Sequence, residues 1–261
     1  MFDFHMHSIV SCDGHDAPQK MVAAAKGRGL REICFTDHID DDPLGDSAHL
    51  QYTLADYEAG YRDLTDDQVK IRLGMEFGLL ANNQDLIARR TRERNYDFII
   101  GSVHFADNVD VYLKPFWENR TVLEAEQLYL QTTLDCVTNH EDFDILGHLT
   151  FPSKARIHPT HIPISLDTHR EVVAEIFKAL ISKGKGIEIN TSGVDRCGAY
   201  LPSPDYLRLF KDLGGQIVTV GSDAHTSDRV GQYCVEACQI VQDIFGHVCT
   251  FENRQPIFHK L

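Results

Sequence analysis

The stretches "FDFHMH", residues 2–7, and "APQKMVAAAKGRGL", residues 17–30, decide the fold. The first reads as a buried strand, with Asp3, His5 and His7 at alternate positions. The second carries its apolar residues at helical spacing. A strand followed by a helix is half of a parallel β–α–β unit, and the same alternation continues down the chain. Six more strands are expected at 32–37, 70–77, 97–104, 144–148, 186–191 and 216–222. Amphipathic helices are expected at 54–64, 83–94, 122–140, 166–184, 203–215 and 235–246. Seven repeats in 261 residues fit a closed or nearly closed barrel better than an open doubly wound sheet. No GxGxxG follows a strand, so a dinucleotide fold is not favoured. Segments 40–50 and 151–165 read as long loops, and 247–261 as an extra strand or an edge-covering extension. No composition shift divides the chain, which points to one domain over 1–261.

Composition narrows the partners. The formal charge is −14, so a polynucleotide or an anionic membrane would be repelled. The only basic cluster, Arg89 to Arg94, reads as the solvated face of a helix. No apolar run approaches the ~18–20 residues of a membrane helix. No signal peptide is visible, because Asp3 and His5 interrupt the N-terminal apolar stretch. The seven cysteines contain no CxxC pair and are read as reduced thiols of a cytoplasmic protein.

The three polar residues of the first strand need compensation, since burying them unpaired is costly. Six of the fourteen histidines fall at the C-terminal end of an expected strand: His5, His7, His38, His104, His148 and His225. Glu76 in "LGMEFG" and Asp223 in "VGSDAH" occupy matching places. In a βα barrel those strand ends converge on one mouth. Residues i and i+2 of a strand share a face, so His5 with His7, and Asp223 with His225, can chelate together. Imidazoles and carboxylates in this number suit Zn, Mn or Fe. A catalytic zinc usually takes about three protein ligands, so eight such side chains imply two or three divalent ions. Asp3 either orients an imidazole from behind or satisfies backbone donors.

The motifs "DFHMHS", "FTDH", "GMEFG", "GSVH", "GHL" and "GSDAH" occur in the order of the PHP (polymerase and histidinol-phosphatase) family, which this chain resembles from Asp3 to His225. Length and the stretch "DILGHLTFPSKAR", residues 144–156, resemble the stand-alone histidinol-phosphate phosphatase branch. The resemblance implies an α/β fold, a distorted (β/α)7 TIM-like barrel with a trinuclear metal centre. His5, His7, Glu76 and Asp223 would hold one ion. Glu76 would bridge to a second, completed by His104 and His148. His38 and His225 would hold the third. Asp13 stands where many relatives place a further histidine, with His15 two residues on; Asp13 is the chosen ligand.

The implied activity is hydrolysis of L-histidinol phosphate in histidine biosynthesis. Paired cations ~3.5–4 Å apart acidify a bridging water, whose hydroxide attacks phosphorus. Charge on the phosphoryl oxygens then needs cationic partners, and the planar fork of arginine suits them. Arg156 and Arg196, each a few residues past an expected strand, are the candidate phosphate ligands, with Lys154 a weaker one. Asp223, His225 or a metal-bound water would protonate the leaving alkoxide. One of Asp40, Asp41 and Asp42 is a candidate partner for the substrate amine. Three other readings compete. The chain could be a phosphoesterase acting on another small ester or on nucleotides. It could be an amidohydrolase-type enzyme, although no metal-bridging lysine is found. It could also be a non-catalytic metal-binding barrel. Oligomeric state is left open.

Overall fold

The computed structural model describes all residues except 46, 156, 159 and 161; Arg156 is thus outside the described residues. Seven barrel strands are found among them: β1 (Phe2–Met6), β2 (Glu32–Phe35), β3 (Lys70–Gly78), β4 (Phe98–Ser102), β5 (Ile145–Leu146), β6 (Gly186–Asn190) and β7 (Val218–Gly221). Each pairs in parallel with the next, in sequence order. These are the expected strands, most of them trimmed by a few residues and β3 one residue longer; β5 is the most reduced.

The ring closes where β7 returns to β1. His7 N donates to Ala224 O at 2.8 Å, and Asp223 N donates to His5 O at 2.7 Å. Gly221 is required there, because a Cβ on it would sit 2.3 Å from the Cβ of His5. Asp3 ties the same seam. Its carboxylate accepts from Ser222 N (2.8 Å), Ser222 Oγ (2.5 Å) and Gly231 N (2.7 Å). Of the two roles open to Asp3, satisfying backbone donors is the one observed. The register of β1 shifts between Asp3 and Met6, the span that holds His5, whose N–H donates to Asp3 Oδ1 at 3.4 Å.

Helices follow the strands: α1 (Pro18–Gly27), α2 (Leu54–Tyr61), α3 (Gln84–Arg90), α4 (Val122–Asn139), α5 (Leu166–Ser182), α6 (Pro204–Asp212) and α7 (Cys234–Phe245). Local chemistry starts them. Proline occupies the first turn of α1 and α6, where its missing N–H costs nothing. Thr53 with Asp56, and Thr121 with Glu124, form capping boxes at α2 and α4. The inward stripe of α5 buries Val173, Ile176, Phe177 and Leu180. Phe177 meets Phe210 of α6 edge to face at 5.1 Å, and burial of each ring contributes roughly 1.5–3 kcal/mol. No helix of the described residues is long and apolar enough to cross a membrane. All seven cysteines are free thiols.

Two segments differ from expectation. Helix α3 stops at Arg90, and the guanidinium of Arg94 lies over the rings of Tyr57 and Tyr96 at 4.9 and 5.4 Å. The basic run is therefore partly packed, not only solvated. The tail forms an antiparallel hairpin, Val248–Glu252 with Gln255–His259, turned by Asn253 and Arg254 at positive φ. Its Glu252 and Arg254 pair with Arg72 at 2.7 Å and Asp144 at 2.6 Å. These partners lie at the starts of β3 and β5, so the hairpin covers the end of the barrel opposite the histidines.

Candidate metal centre

The short strand His38–Ile39 pairs with Glu76–Phe77 of β3, which sets His38 beside Glu76 at the strand ends. Around Glu76 the two expected groups meet. Its Oε2 lies 3.2 Å from His5 Nε2 and 3.5 Å from His7 Nε2. Its Oε1 lies 2.9 Å from His148 Nε2 and 3.6 Å from His104 Nε2, and accepts from Ser102 Oγ at 2.6 Å. One carboxylate thus divides its two oxygens between two pairs of imidazoles. Asp223 Oδ1 completes the first group, 3.4 Å from His7 Nε2 and 3.8 Å from His5 Nε2. Asp13 is divided in the same way. Oδ1 is 3.0 Å from His38 Nε2, and Oδ2 is 2.9 Å from His225 Nε2. His15 is exposed and joins only through its backbone N–H, which donates to His225 O at 2.9 Å.

Whether this constellation fits cations can be tested on its hydrogen bonds. His5 and His7 are fully buried, yet the Nε2 of each lacks a hydrogen-bond partner, and so do Asp13 Oδ1 and His38 Nδ1. His5 Nε2 and Asp13 Oδ1 are close to an oppositely charged group but misaligned for bonding to it. Buried polar atoms are rarely left so in native proteins unless something else binds them. Donor atoms of His5, Glu76 and His148, of His5, His7 and Asp223, and of Cys12, Asp13 and His38 lie within 4.8 Å of one another. Three carboxylates interleaved with six imidazoles fit divalent ions.

Outer contacts hold the rings. His5 Nδ1 meets both oxygens of Glu188 at 3.1 Å, and His104 Nδ1 meets those of Asp40 at 3.0 and 2.9 Å. His7 Nδ1 contacts Ser11 Oγ at 3.3 Å, and His225 Nδ1 contacts the Asp223 carbonyl at 2.9 Å. Each leaves Nε2 directed at the carboxylates. Electrostatics follow the same map. Burial lowers the His7 imidazolium, and the neighbouring His225 adds to this, to about 4. Burial would also lower His104, but Asp40 and Glu76 outweigh it and raise the ring to about 10. Burial would raise Glu76 and Asp223. Imidazoles and, for Asp223, the Lys154 ammonium hold both well below the usual carboxylate range.

The centre floors a cavity of about 600 Å³. Lys154 Nζ donates to Asp223 Oδ2 at 2.5 Å and to Ser192 Oγ at 2.9 Å. Arg196 lines the same wall, with no ion-pair partner among the described residues. Arg229 is there too, paired with Asp195 at 2.6 Å. Leu50, Phe105, Asp110, Tyr112 and Phe151 line the cavity as well, with the Phe151 ring 4.9 Å from Lys154 Nζ. The acidic run is engaged within the fold. Asp40 is 6% exposed and committed to His104. Asp41 accepts from Gln51 at 2.8 Å, and Asp42 caps the Leu44 N–H at 2.9 Å. Asp110 also faces the cavity beyond the centre, and burial pushes its carboxyl up. It and Glu188 were missed from sequence. Glu188 stands in "GIEIN" as Glu76 stands in "GMEFG", and that parallel was a usable signal.

The family model for the PHP domain matches residues 3–192. The histidinol-phosphatase of Lactococcus lactis is 36% identical over 232 residues, 87% of this chain and 85% of that one. The probable histidinol-phosphatase of Thermotoga maritima is 27% identical over the full length of both chains. The crystal structure of Lactococcus lactis histidinol phosphate phosphatase, complexed with zinc, L-histidinol and phosphate, superimposes with a TM-score of 0.84. That superposition covers 98% of each chain at 30% identity. A TIM-like barrel of parallel strands, motifs in family order and a matching family model lead to one conclusion: this chain belongs to the PHP domain family.

Proposed function

We propose that this chain is a metal-dependent phosphomonoesterase that hydrolyses L-histidinol phosphate to L-histidinol and phosphate, with residues 1–261 acting as one PHP barrel in the cytoplasm. The observation that carries the reading is Glu76, whose two oxygens face two separate pairs of histidines at the floor of a cavity. Similarity to histidinol-phosphatases, one of them solved with zinc, L-histidinol and phosphate, supports the substrate.

Three divalent ions, zinc by preference, are assigned to the site. His5, His7, Glu76 and Asp223 hold the first, Glu76, His104 and His148 the second, and Asp13, His38 and His225 the third. Bound there, divalent ions would supply Lewis acidity, which makes water nucleophilic near neutral pH and screens phosphoryl charge. The chain's own residues do the rest. Glu188 and Asp40 hold His5 and His104 in the tautomer that keeps a lone pair on Nε2. Arg196 offers its planar fork to two phosphoryl oxygens, and Lys154 adds a charge beside it. Arg156 is assigned to the same anion from its sequence position. The Lys154–Asp223 pair and His225 stand at the mouth as carriers for the leaving group's proton. Asp110 takes the substrate ammonium, and Phe105, Tyr112 and Phe151 flank its imidazole. The formal charge of −14 disfavours polynucleotides.

The test is phosphate release from a panel of metabolite esters, with metal content measured on the same sample. Turnover of histidinol phosphate above other esters, abolished by His104→Ala or Arg196→Ala, supports the reading. Bound metal without turnover of any ester overturns it.

A further inference from the structure

The third group of donors contains an atom the assignments above leave unused. Cys12 Sγ lies with Asp13 and His38 in a set whose ligand atoms are all within 4.8 Å of one another. Cys12 is exposed and lines the cavity, while His38 is only 9% exposed. One further observation points to a ligand at this place. Asp13 Oδ1 is buried, 3.0 Å from His38 Nε2, without the alignment of a hydrogen bond, while the other ring nitrogen of His38 faces Asp40 at 3.6 Å.

The segment that carries Cys12 and Asp13 is held from several sides. Asp37 Oδ1 accepts from Ser8 N at 2.7 Å and from Ser11 N at 3.3 Å. Ser11 Oγ accepts from His38 N at 2.8 Å. Turn bonds run from Ser11 N to Ser8 O and from Gly14 N to Ser11 O, and His15 N reaches His225 O. Gly14 is pressed onto the Ser8 carbonyl so closely that a Cβ there would overlap it. Two adjacent residues thus present a sulfur and a carboxylate to one imidazole from a fixed backbone. Little ordering is left to be done when an ion binds.

We propose that Cys12 Sγ is a protein ligand of the third ion, beside Asp13, His38 and His225. This rests on the metal reading above and deepens it. On coordination the thiol gives its proton to solvent and sulfur binds as thiolate. Thiolate is a soft donor, so this position would select zinc over manganese, whereas the other two are built from nitrogen and oxygen alone. It would also make the outermost ion the one lost to thiol chemistry. An alkylating agent that forms a carbon–sulfur bond at Cys12, with halide leaving, turns the thiolate into a neutral thioether, a far weaker donor to the ion.

Cobalt(II) is the probe, added to the metal-free full-length chain. A sulfur-to-cobalt charge-transfer band in the near ultraviolet is expected, and both Cys12→Ala and Cys12→Ser are expected to lack it. Affinity for the weakest-held ion should fall by about tenfold or more in Cys12→Ala. Iodoacetamide should release zinc from the wild-type chain and none from Cys12→Ser. Cobalt bound with no sulfur band, or with a band unchanged in both variants, overturns this assignment and leaves the metal reading standing. A chain that binds no cobalt overturns both.

Discussion

Exchanging Glu188 for Gln changes one charge and almost no volume, and its consequence can be worked from four contacts. Glu188 Oε1 accepts from His148 N at 2.7 Å and from Asn190 Nδ2 at 3.0 Å, so that atom must stay an oxygen. The new amide nitrogen therefore falls at the place of Oε2, 3.1 Å from His5 Nδ1. His5 Nδ1 keeps Oε1 as an acceptor at 3.1 Å, but that bond loses the carboxylate charge and an N–H now presses on it from the other side. Either His5 moves its proton to Nε2, the atom 3.2 Å from Glu76, and loses its lone pair, or it keeps the weaker neutral bond with the new amide N–H buried beside it. An unsatisfied buried donor costs about 1–3 kcal/mol. Removing the outer partner of a metal-bound histidine typically costs about 10–100-fold in affinity or activity, which is about 1.4–2.8 kcal/mol. Both routes give the same scale. The assay is zinc competition against a chromophoric chelator, read beside phosphate release and thermal melting of the metal-free chain. Zinc affinity should fall by that factor while the metal-free melting temperature changes little. Affinity within twofold of wild type at unchanged stoichiometry would refute the role given to Glu188.

Three more outcomes are expected. Glu76→Ala should cost two ions per chain by elemental analysis, where His104→Ala costs one; equal losses would show that Glu76 does not join two groups. Asp110→Asn should raise KM for histidinol phosphate by about tenfold, the scale of a lost charged hydrogen bond, with little effect on a neutral phosphate ester; equal effects on both esters would remove Asp110 from amine recognition. Glu126 of α4 supports acid stability: burial alone would raise its carboxyl, but hydrogen bonds from His158 and His169 hold it below its usual range. A lowered folded value stabilises the chain above the unfolded pKa of about 4.3, and that part is lost as pH falls through the folded value. Urea midpoints of Glu126→Gln should therefore be lower than wild type at pH 6 and converge with it on acidification; parallel curves would sink the argument.

Much of the site was legible because its chemistry repeats at strand ends. HxH and DxH bring two donors together at the ends of β1 and β7, with Asp223 past the last strand residue at positive φ, and Glu76 and His148 sit in short glycine-bearing stretches at strand ends. The orienting groups were harder to read. Asp40 belongs to an acidic run that resembles a solvated loop. Only the register of His38–Ile39 against Glu76–Phe77 brings it under His104. Asp110 follows a two-residue turn at Asp107 and Asn108, both at positive φ, and no periodic pattern marks so short a hairpin. Arg94 reads as surface charge, and its cover needs Tyr57 of α2, far from it in sequence, to meet the nearby Tyr96.

The seam between β1 and β7 has a consequence for the order of events in folding. Asp3 and its partner Ser222 are 219 positions apart, and the pair His5 and His7 needs Asp223 just beyond. Contacts so distant along the chain are slow to form, because a long loop must close before any of them contributes. During synthesis the histidines of β1 would wait, with a bare strand edge beside them, until the last strand emerges. Metal capture would then be a late step that locks a ring already assembled, and a chain halted before β7 would carry its histidines with no cage to put them in.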